Sequence, residues 1–349
     1  METIVRRIDP RRIDPSAVEE AACVLRRGGL VAFPTETVYG LGGDALDPGA
    51  SAAIYAAKGR PSDNPLIVHI ADLSALERLA SSVPDAAWRL AKACWPGPLT
   101  MILPKAACVP DQTTGGLPTV AVRFPSHPVA RALIEASGRY IAAPSANTSG
   151  RPSPTCARHV EEDLSGRIDM ILDGGECEIG LESTIVDLTE EVPTILRPGY
   201  YAEEDIRRIL GSARTDPGIL REDSNVRPKA PGMRYRHYAP RAKIVIVEGK
   251  PDDVVRAILA QVRKETAAGR RTAVLCCGEH EGLYPDVRIF SVGHLAREEE
   301  IAHNLYTTLR RFDEEGIDTV YSEAFETPSL GSAIMNRLLK AAGHTVLPA

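Results

Sequence analysis

At 349 residues, 44% of them hydrophobic, the chain can bury two cores. Its formal charge of -6 leaves no basic footprint of the kind that neutralises many phosphates, which counts against sequence-independent nucleic-acid binding as the main activity. Seven cysteines without a Cys-x-x-Cys pair argue against a disulfide framework or a structural zinc site and favour reduced thiols. No apolar run approaches the ~20 residues of a membrane helix. The charged stretch from Met1 to Arg7 lacks the core of a signal peptide, so a cytoplasmic globular protein is expected.

In chain order, Asp14-Pro15 ahead of Val18, Ala21, Ala22 and Leu25, closed by Gly28-Gly29, predicts a capped helix. Leu30 to Phe33 reads as a buried strand, and Leu66 to Ile70, Leu99 to Leu103, Thr119 to Arg123 and Tyr140 to Ala143 read as further strands. Helical spacing marks Ala86 to Cys94 and Pro128 to Ala136. Strands at Ile168 to Leu172, Ser183 to Leu188 and Thr194 to Leu196 and a helix at Glu203 to Leu210 complete an α/β block, whose sheet need not be wholly parallel. Periodicity then fails from Gly211 to Arg241. Beyond it come strand Lys243 to Val247, helix Val254 to Thr266, and strands Thr272 to Cys276 and Val287 to Phe290. A helix from Arg297 to Glu314, strand Thr319 to Tyr321 and a helix from Ala333 to Ala341 follow, a smaller Rossmann-like doubly wound domain. The expected division is 1–211, a linker 212–242, and 243–349.

The chemistry concentrates in the first block. Pro34-Thr35-Glu36-Thr37-Val38-Tyr39-Gly40-Leu41 brings hydroxyls to a glycine-rich bend, and Lys58-Gly59-Arg60-Pro61 with Asn64-Pro65-Leu66 adds fixed charge and an amide on a stiffened loop. Such groups on loops beside strands suit a small anionic substrate. Arg123 ends an apolar strand, where its planar fork suits a carboxylate. Pro144-Ser145-Ala146-Asn147, Thr155, Glu182-Ser183-Thr184 and Arg197-Pro198-Gly199 repeat the theme of hydroxyl and arginine at strand ends. There is no P-loop, and Gly40-Leu41-Gly42-Gly43-Asp44-Ala45, which fits a relaxed dinucleotide fingerprint, reads better as a glycine-rich turn leaving a strand. The linker segment from Ala230 to Pro240, with Arg234, Arg236, His237 and Tyr238, is richer in aromatic and basic groups than a tether needs; composition alone slightly favours a solvated connector, and the sharper reading is a strap across a ligand site.

These motifs, with His237-Tyr238-Ala239-Pro240 and the tail segment Gly331 to Leu338, together resemble the threonylcarbamoyl-adenylate synthase family, the YrdC-like enzymes of tRNA modification, in its longer two-domain form. One departure is visible: Ala230 stands where the strap of the family often has serine before Pro-Gly-Met. The resemblance implies a YrdC-like twisted open mixed sheet with flanking helices around a large positive cavity. It also implies a reaction that joins L-threonine, bicarbonate and ATP into threonylcarbamoyl-adenylate and pyrophosphate. The product would pass to proteins that modify the adenosine beside the tRNA anticodon; direct tRNA binding stays open. By resemblance, Thr37, His69, Arg123, Ser145 and Ser183 hold threonine, and Arg60, Asn64, Thr119, Asn147, Thr155, Arg197 and His237 hold ATP. Lys58 and Arg60 are expected to act on the carbamate or the leaving pyrophosphate, and Mg²⁺ to bridge phosphates largely through water. The rival readings are an RNA-binding accessory, a nicotinamide-dependent dehydrogenase using the Gly40 turn, and a carbamoyltransferase.

Overall fold

The computed structural model describes residues 2–220 and 237–349, and these fall into two units: 2–149 with 153–220, and 150–152 with 237–349. Arg234 and Arg236 of the expected strap lie outside the described residues.

The strands of the first unit are Ile4–Arg7 (β1), Val31–Phe33 (β2), Gly40–Asp44 (β3), Ile67–His69 (β4), Leu99–Pro104 (β5), Thr119–Arg123 (β6), Ile141–Ala142 (β7), Met170–Asp173 (β8), Thr184–Asp187 (β9), Thr194–Arg197 (β10) and Arg214–Thr215 (β11). They form one mixed sheet in the order β1-β8-β2-β3-β7-β4-β6-β5-β9-β10-β11. Helices Pro15–Arg26 (α1), Pro48–Lys58 (α2), Ala75–Leu79 (α3), Asp85–Cys94 (α4), Asp111–Thr114 (α5), Pro128–Ser137 (α6), Ala157–Leu164 (α7) and Glu203–Leu210 (α8) connect them. Local chemistry explains the ends of α2. Asp47 caps it by accepting the Gly49 N–H, Pro48 opens it, and Gly59 at φ 61° stops it directly after Lys58. Most buried side chains of this unit fall into a large core and a second one, in which α1 and α6 pack on β2 and β8.

Several expectations need correction. The Gly40 segment is not a turn: it is strand β3, antiparallel to β2 with Phe33 opposite Gly40 and Val31 opposite Gly42. Its glycines answer a crowding problem. A Cβ on Gly42 would lie 2.8 Å from both Ile141 Cγ2 and Phe33 Cε1, so neighbouring large side chains take the space a side chain would need. An antiparallel strand cannot be a dinucleotide-binding turn, which removes the structural basis of the dehydrogenase reading. The edge strand β1, exposed along its length, carries no alternation to betray it. The stretch after Gly211, where periodicity fails, nonetheless carries β11 and a 3₁₀ turn at Pro217–Leu220 at its start.

In the second unit Lys243–Glu248 (β12), Pro251–Ala267 (α9), Thr272–Cys276 (β13), Arg288–Ser291 (β14), Glu298–Glu314 (α10), Thr319–Glu323 (β15), Gly331–Ala341 (α11) and Val346–Pro348 (β16) alternate. All strand pairs are parallel, in the order β14-β13-β15-β12-β16. The doubly wound expectation therefore holds, with β16 as an added edge.

Gly199 offers a test of the packing near β9 and β10. A Cβ there would sit 2.4 Å from the Thr184 nitrogen and 2.8 Å from the Glu182 carbonyl oxygen, both backbone atoms that cannot turn away. Gly199→Ala should therefore destabilise the fold by about 1–3 kcal/mol in urea unfolding. Gly282→Ala, with nothing within 4 Å, should change it by under about 0.5 kcal/mol.

Candidate active site

Strands β4, β6, β5, β9 and β10 lie side by side, and their alternation sends side chains to two different places. Val68, Val120, Val122, Met101, Leu103, Val186 and Ile195 enter the main core. On the other face Ile67, Ala121, Ile102, Ile185 and Leu196 form a small separate apolar cluster. Register shows what surrounds that floor, because paired residues share a face. His69 pairs with Arg123, Ile67 with Ala121, Thr100 with Arg123 and with Ile185, and Arg197 with Ile185. An apolar floor thus carries a line of polar groups along one end of five strands.

Hydrogen bonds fix that line. Ser183 Oγ lies 2.8 Å from Thr100 Oγ1. Arg197 donates to the Ser183 carbonyl and hydroxyl at 3.0 Å each. Arg123, 4% exposed, donates to Glu36 Oε1 at 2.7 Å and more weakly to Thr35 Oγ1 at 3.5 Å. The second Glu36 oxygen accepts the Ser126 N–H, and Thr35 and Thr37 hydroxyls sit 2.9 Å apart. Arg123 Nε is buried with no partner among the described residues. A buried guanidinium donor left over in this way fits an anion delivered from outside. His69 faces Phe33 edge-on at 6.3 Å. Burial first, then the Arg123 charge, lower its pKa to about 3, so it is a neutral imidazole that donates and accepts hydrogen bonds at neutral pH.

A second group sits toward the opposite ends of β4 and β6. Lys58, buried at the end of α2, donates to the carbonyls of Ser145 and Asn147 and to Asn147 Oδ1. Ser145 Oγ in turn donates to Asn147 Oδ1 at 2.6 Å. Arg60 donates to the Asn64 and Pro65 carbonyls, at 3.3 and 3.1 Å, fixing the loop that enters β4. Asn64 Oδ1 is buried without a partner among the described residues. Thr119 begins β6 opposite Pro104, on the same face as Arg123 but about 13 Å along the strand at ~3.3 Å per residue. Thr155 is buried beside His159, whose Nδ1 accepts its backbone N–H at 3.3 Å.

His237 belongs to the second unit. Its ring neighbours Tyr238, which stacks 5.2 Å from Tyr306. Thr100 is the residue missed by sequence reasoning, a lone hydroxyl in an apolar strand whose signal was its position among Leu99, Met101, Ile102 and Leu103. Glu36, inside the Pro34 to Leu41 motif, is the partner of Arg123.

Residues 23–199 match the Sua5/YciO/YrdC family model, described as Telomere recombination. Residues 201–343 match one described as Threonylcarbamoyl-AMP synthase, C-terminal domain. A threonylcarbamoyl-AMP synthase of Pyrococcus abyssi is 50% identical, over 96% of this chain and 97% of the relative. One from Bacillus subtilis is 49% identical, over 96% and 95%. The crystal structure of P. abyssi Sua5 complexed with L-threonine superposes with a TM-score of 0.94 at 49% identity, covering 99% of this chain and 100% of that one.

The lowered pKa of His69 has a pH signature. Its ordinary value is 6.5 and its folded value about 3, so between them the unfolded chain binds the extra proton. The contribution is fully present above pH 6.5 and is lost as the pH falls toward about 3. Unfolding melts across that window should show a shallower acid loss in His69→Gln than in the parent; parallel curves would rule out a neutral buried histidine.

Proposed function

The chain belongs to the threonylcarbamoyl-AMP synthase family in its two-domain form, and from that premise we propose how its first unit divides the work among its side chains. It is an enzyme that makes threonylcarbamoyl-AMP using ATP. The observation that carries the proposal is the single sheet face on which His69, Arg123, Thr100 and Arg197 surround an apolar floor.

L-threonine lies at the His69–Arg123 end. Its carboxylate takes the donor left over on Arg123, while Glu36 keeps the other side of the guanidinium in place. Ser183, held by Arg197 and Thr100, and Thr37 offer hydroxyls to the amine and side chain. A neutral His69 adds a hydrogen bond without adding charge. The apolar floor takes the threonine methyl group.

ATP runs along the face toward Thr119, with Arg60, Asn64, Asn147 and Thr155 beside it and Arg197 near the phosphates. Lys58 acts from beneath as a positioning residue, because its ammonium holds the Ser145–Asn147 loop. The neutral threonine amine attacks the carbon of bicarbonate, and the bicarbonate hydroxyl leaves with an amine proton as water, giving the carbamate. The resulting carbamate oxygen attacks the α-phosphorus of ATP and pyrophosphate leaves. Little acid–base work is required, so alignment and neutralised charge supply the rate.

The nearby carboxylates are already engaged, Glu36 by Arg123 and Glu182 by the Ser153 hydroxyl. This donor set fits Mg²⁺ carried on the phosphates and water rather than a protein cage. When bound, the ion neutralises charge on the leaving pyrophosphate.

Among the described residues no helix is long and apolar enough to cross a membrane. The seven free thiols fit work in the cytoplasm, where the product passes to the proteins that transfer it to tRNA. The direct assay incubates the protein with ATP, bicarbonate and labelled threonine and detects threonylcarbamoyl-AMP by mass spectrometry. Arg60→Ala should abolish threonine-dependent pyrophosphate release with unchanged circular dichroism; near-parental release would refute its role.

A further inference from the structure

The second unit contains a cluster that the synthase reaction does not use. Cys277, His280 and Glu323 bring a sulfur, an imidazole nitrogen and a carboxylate oxygen within 4.8 Å of one another. His280 Nδ1 lies 2.9 and 3.0 Å from the two Glu323 oxygens, and Cys277 Sγ lies 3.7 Å from Oε2. The Tyr284 hydroxyl donates to Oε1 at 2.6 Å. Nothing in the cysteine spacing announces this group, since the carboxylate arrives from a strand more than forty positions downstream.

Topology explains why the three meet. Strands β13 and β15 are neighbours, paired from Thr272 with Thr319 to Leu275 with Ser322, so Cys277 and Glu323 leave the sheet side by side at its carboxyl edge. From β13 the chain continues to β14 on one side, and from β15 to β16 on the other. Adjacent strands whose connections diverge open a crevice, the place where doubly wound sheets hold ligands. A cleft of about 390 Å³ is present there, lined by His280, Glu323, Gly249, Pro251, Leu283 and Leu295.

We propose that Cys277, His280 and Glu323 bind a zinc-type divalent transition-metal ion, with a fourth coordination position open to the cleft. A mixed sulfur, nitrogen and oxygen set suits Zn²⁺ and disfavours Mg²⁺ or Ca²⁺, which take oxygen ligands. Bond lengths of about 2.0–2.3 Å in tetrahedral geometry put donor atoms roughly 3.3–3.6 Å apart. The imidazole–carboxylate pair, at 2.9 and 3.0 Å, needs to open by only a few tenths of an ångström, and the Cys277 sulfur, 3.7 Å from the carboxylate, already stands near that spacing. On binding, the Cys277 S–H proton leaves to solvent and the sulfur lone pair forms the metal bond. The Tyr284 hydroxyl orients the glutamate from behind, as outer partners of metal ligands do.

The test uses the full chain, stripped of metal by chelator and titrated with Co²⁺ and then with competing Zn²⁺. The expected result is one Co²⁺ per chain with a near-ultraviolet thiolate-to-metal charge-transfer band, which Zn²⁺ bleaches. Cys277→Ser should abolish the band, and Tyr284→Phe should weaken affinity by about tenfold or more while keeping it. Circular dichroism confirms that both variants fold; if Cys277→Ser does not, Tyr284→Phe carries the test. Absence of the band, its persistence in Cys277→Ser, or an affinity untouched by Tyr284→Phe would overturn the assignment.

Discussion

A guanidinium cannot be buried alone, and the first unit is arranged around that constraint. Arg123 ends β6 in a nearly dry position, and Glu36 meets it at 2.7 Å from the loop between β2 and β3. Desolvating both groups is costly, and losing one partner would leave a bare buried charge. The pair therefore fixes the loop of Thr35 and Thr37 against the sheet. It also leaves Arg123 Nε without a partner among the described residues, so in the proposed site a substrate carboxylate would complete a set of bonds instead of competing for an existing one.

The rest of the site follows from strand alternation. The same five strands that fill the main core with one set of side chains offer the other set to a small apolar floor with polar groups around it. Few separate devices are required: register aligns His69, Arg123, Thr100 and Arg197. A hydrogen bond donated by Arg197 and one shared with Thr100 then hold Ser183. A site made by strands is stiffer than one made by loops, which suits a reaction governed by alignment.

Much of this was legible in the sequence. The alternation in Thr119 to Arg123 announced a strand ending on arginine, and Asp14-Pro15 announced the capped start of α1 from local chemistry. The doubly wound second unit followed from alternating strand and helix patterns. The illegible parts depend on distant packing. Gly42 looks like a turn residue until Ile141 and Phe33 are seen to fill the space beside it. Thr100 looks like an ordinary strand residue until Ser183 is found across from it. Glu36 and Arg123 are far apart in the chain, and the Cys277, His280 and Glu323 group is assembled by sheet order. Local propensity carries no information about which distant segments become neighbours.

The central claim is that the amino-acid substrate binds by its carboxylate to a guanidinium already held by a glutamate. A crystal structure of this protein with L-threonine and a non-hydrolysable ATP analogue tests it most directly. The account predicts the threonine carboxylate within hydrogen-bonding distance of the Arg123 guanidinium, with the Arg123–Glu36 pair intact and the ligand methyl over Ile67 and Ala121. A carboxylate bound elsewhere, or a Glu36 side chain expelled by the ligand, would contradict it.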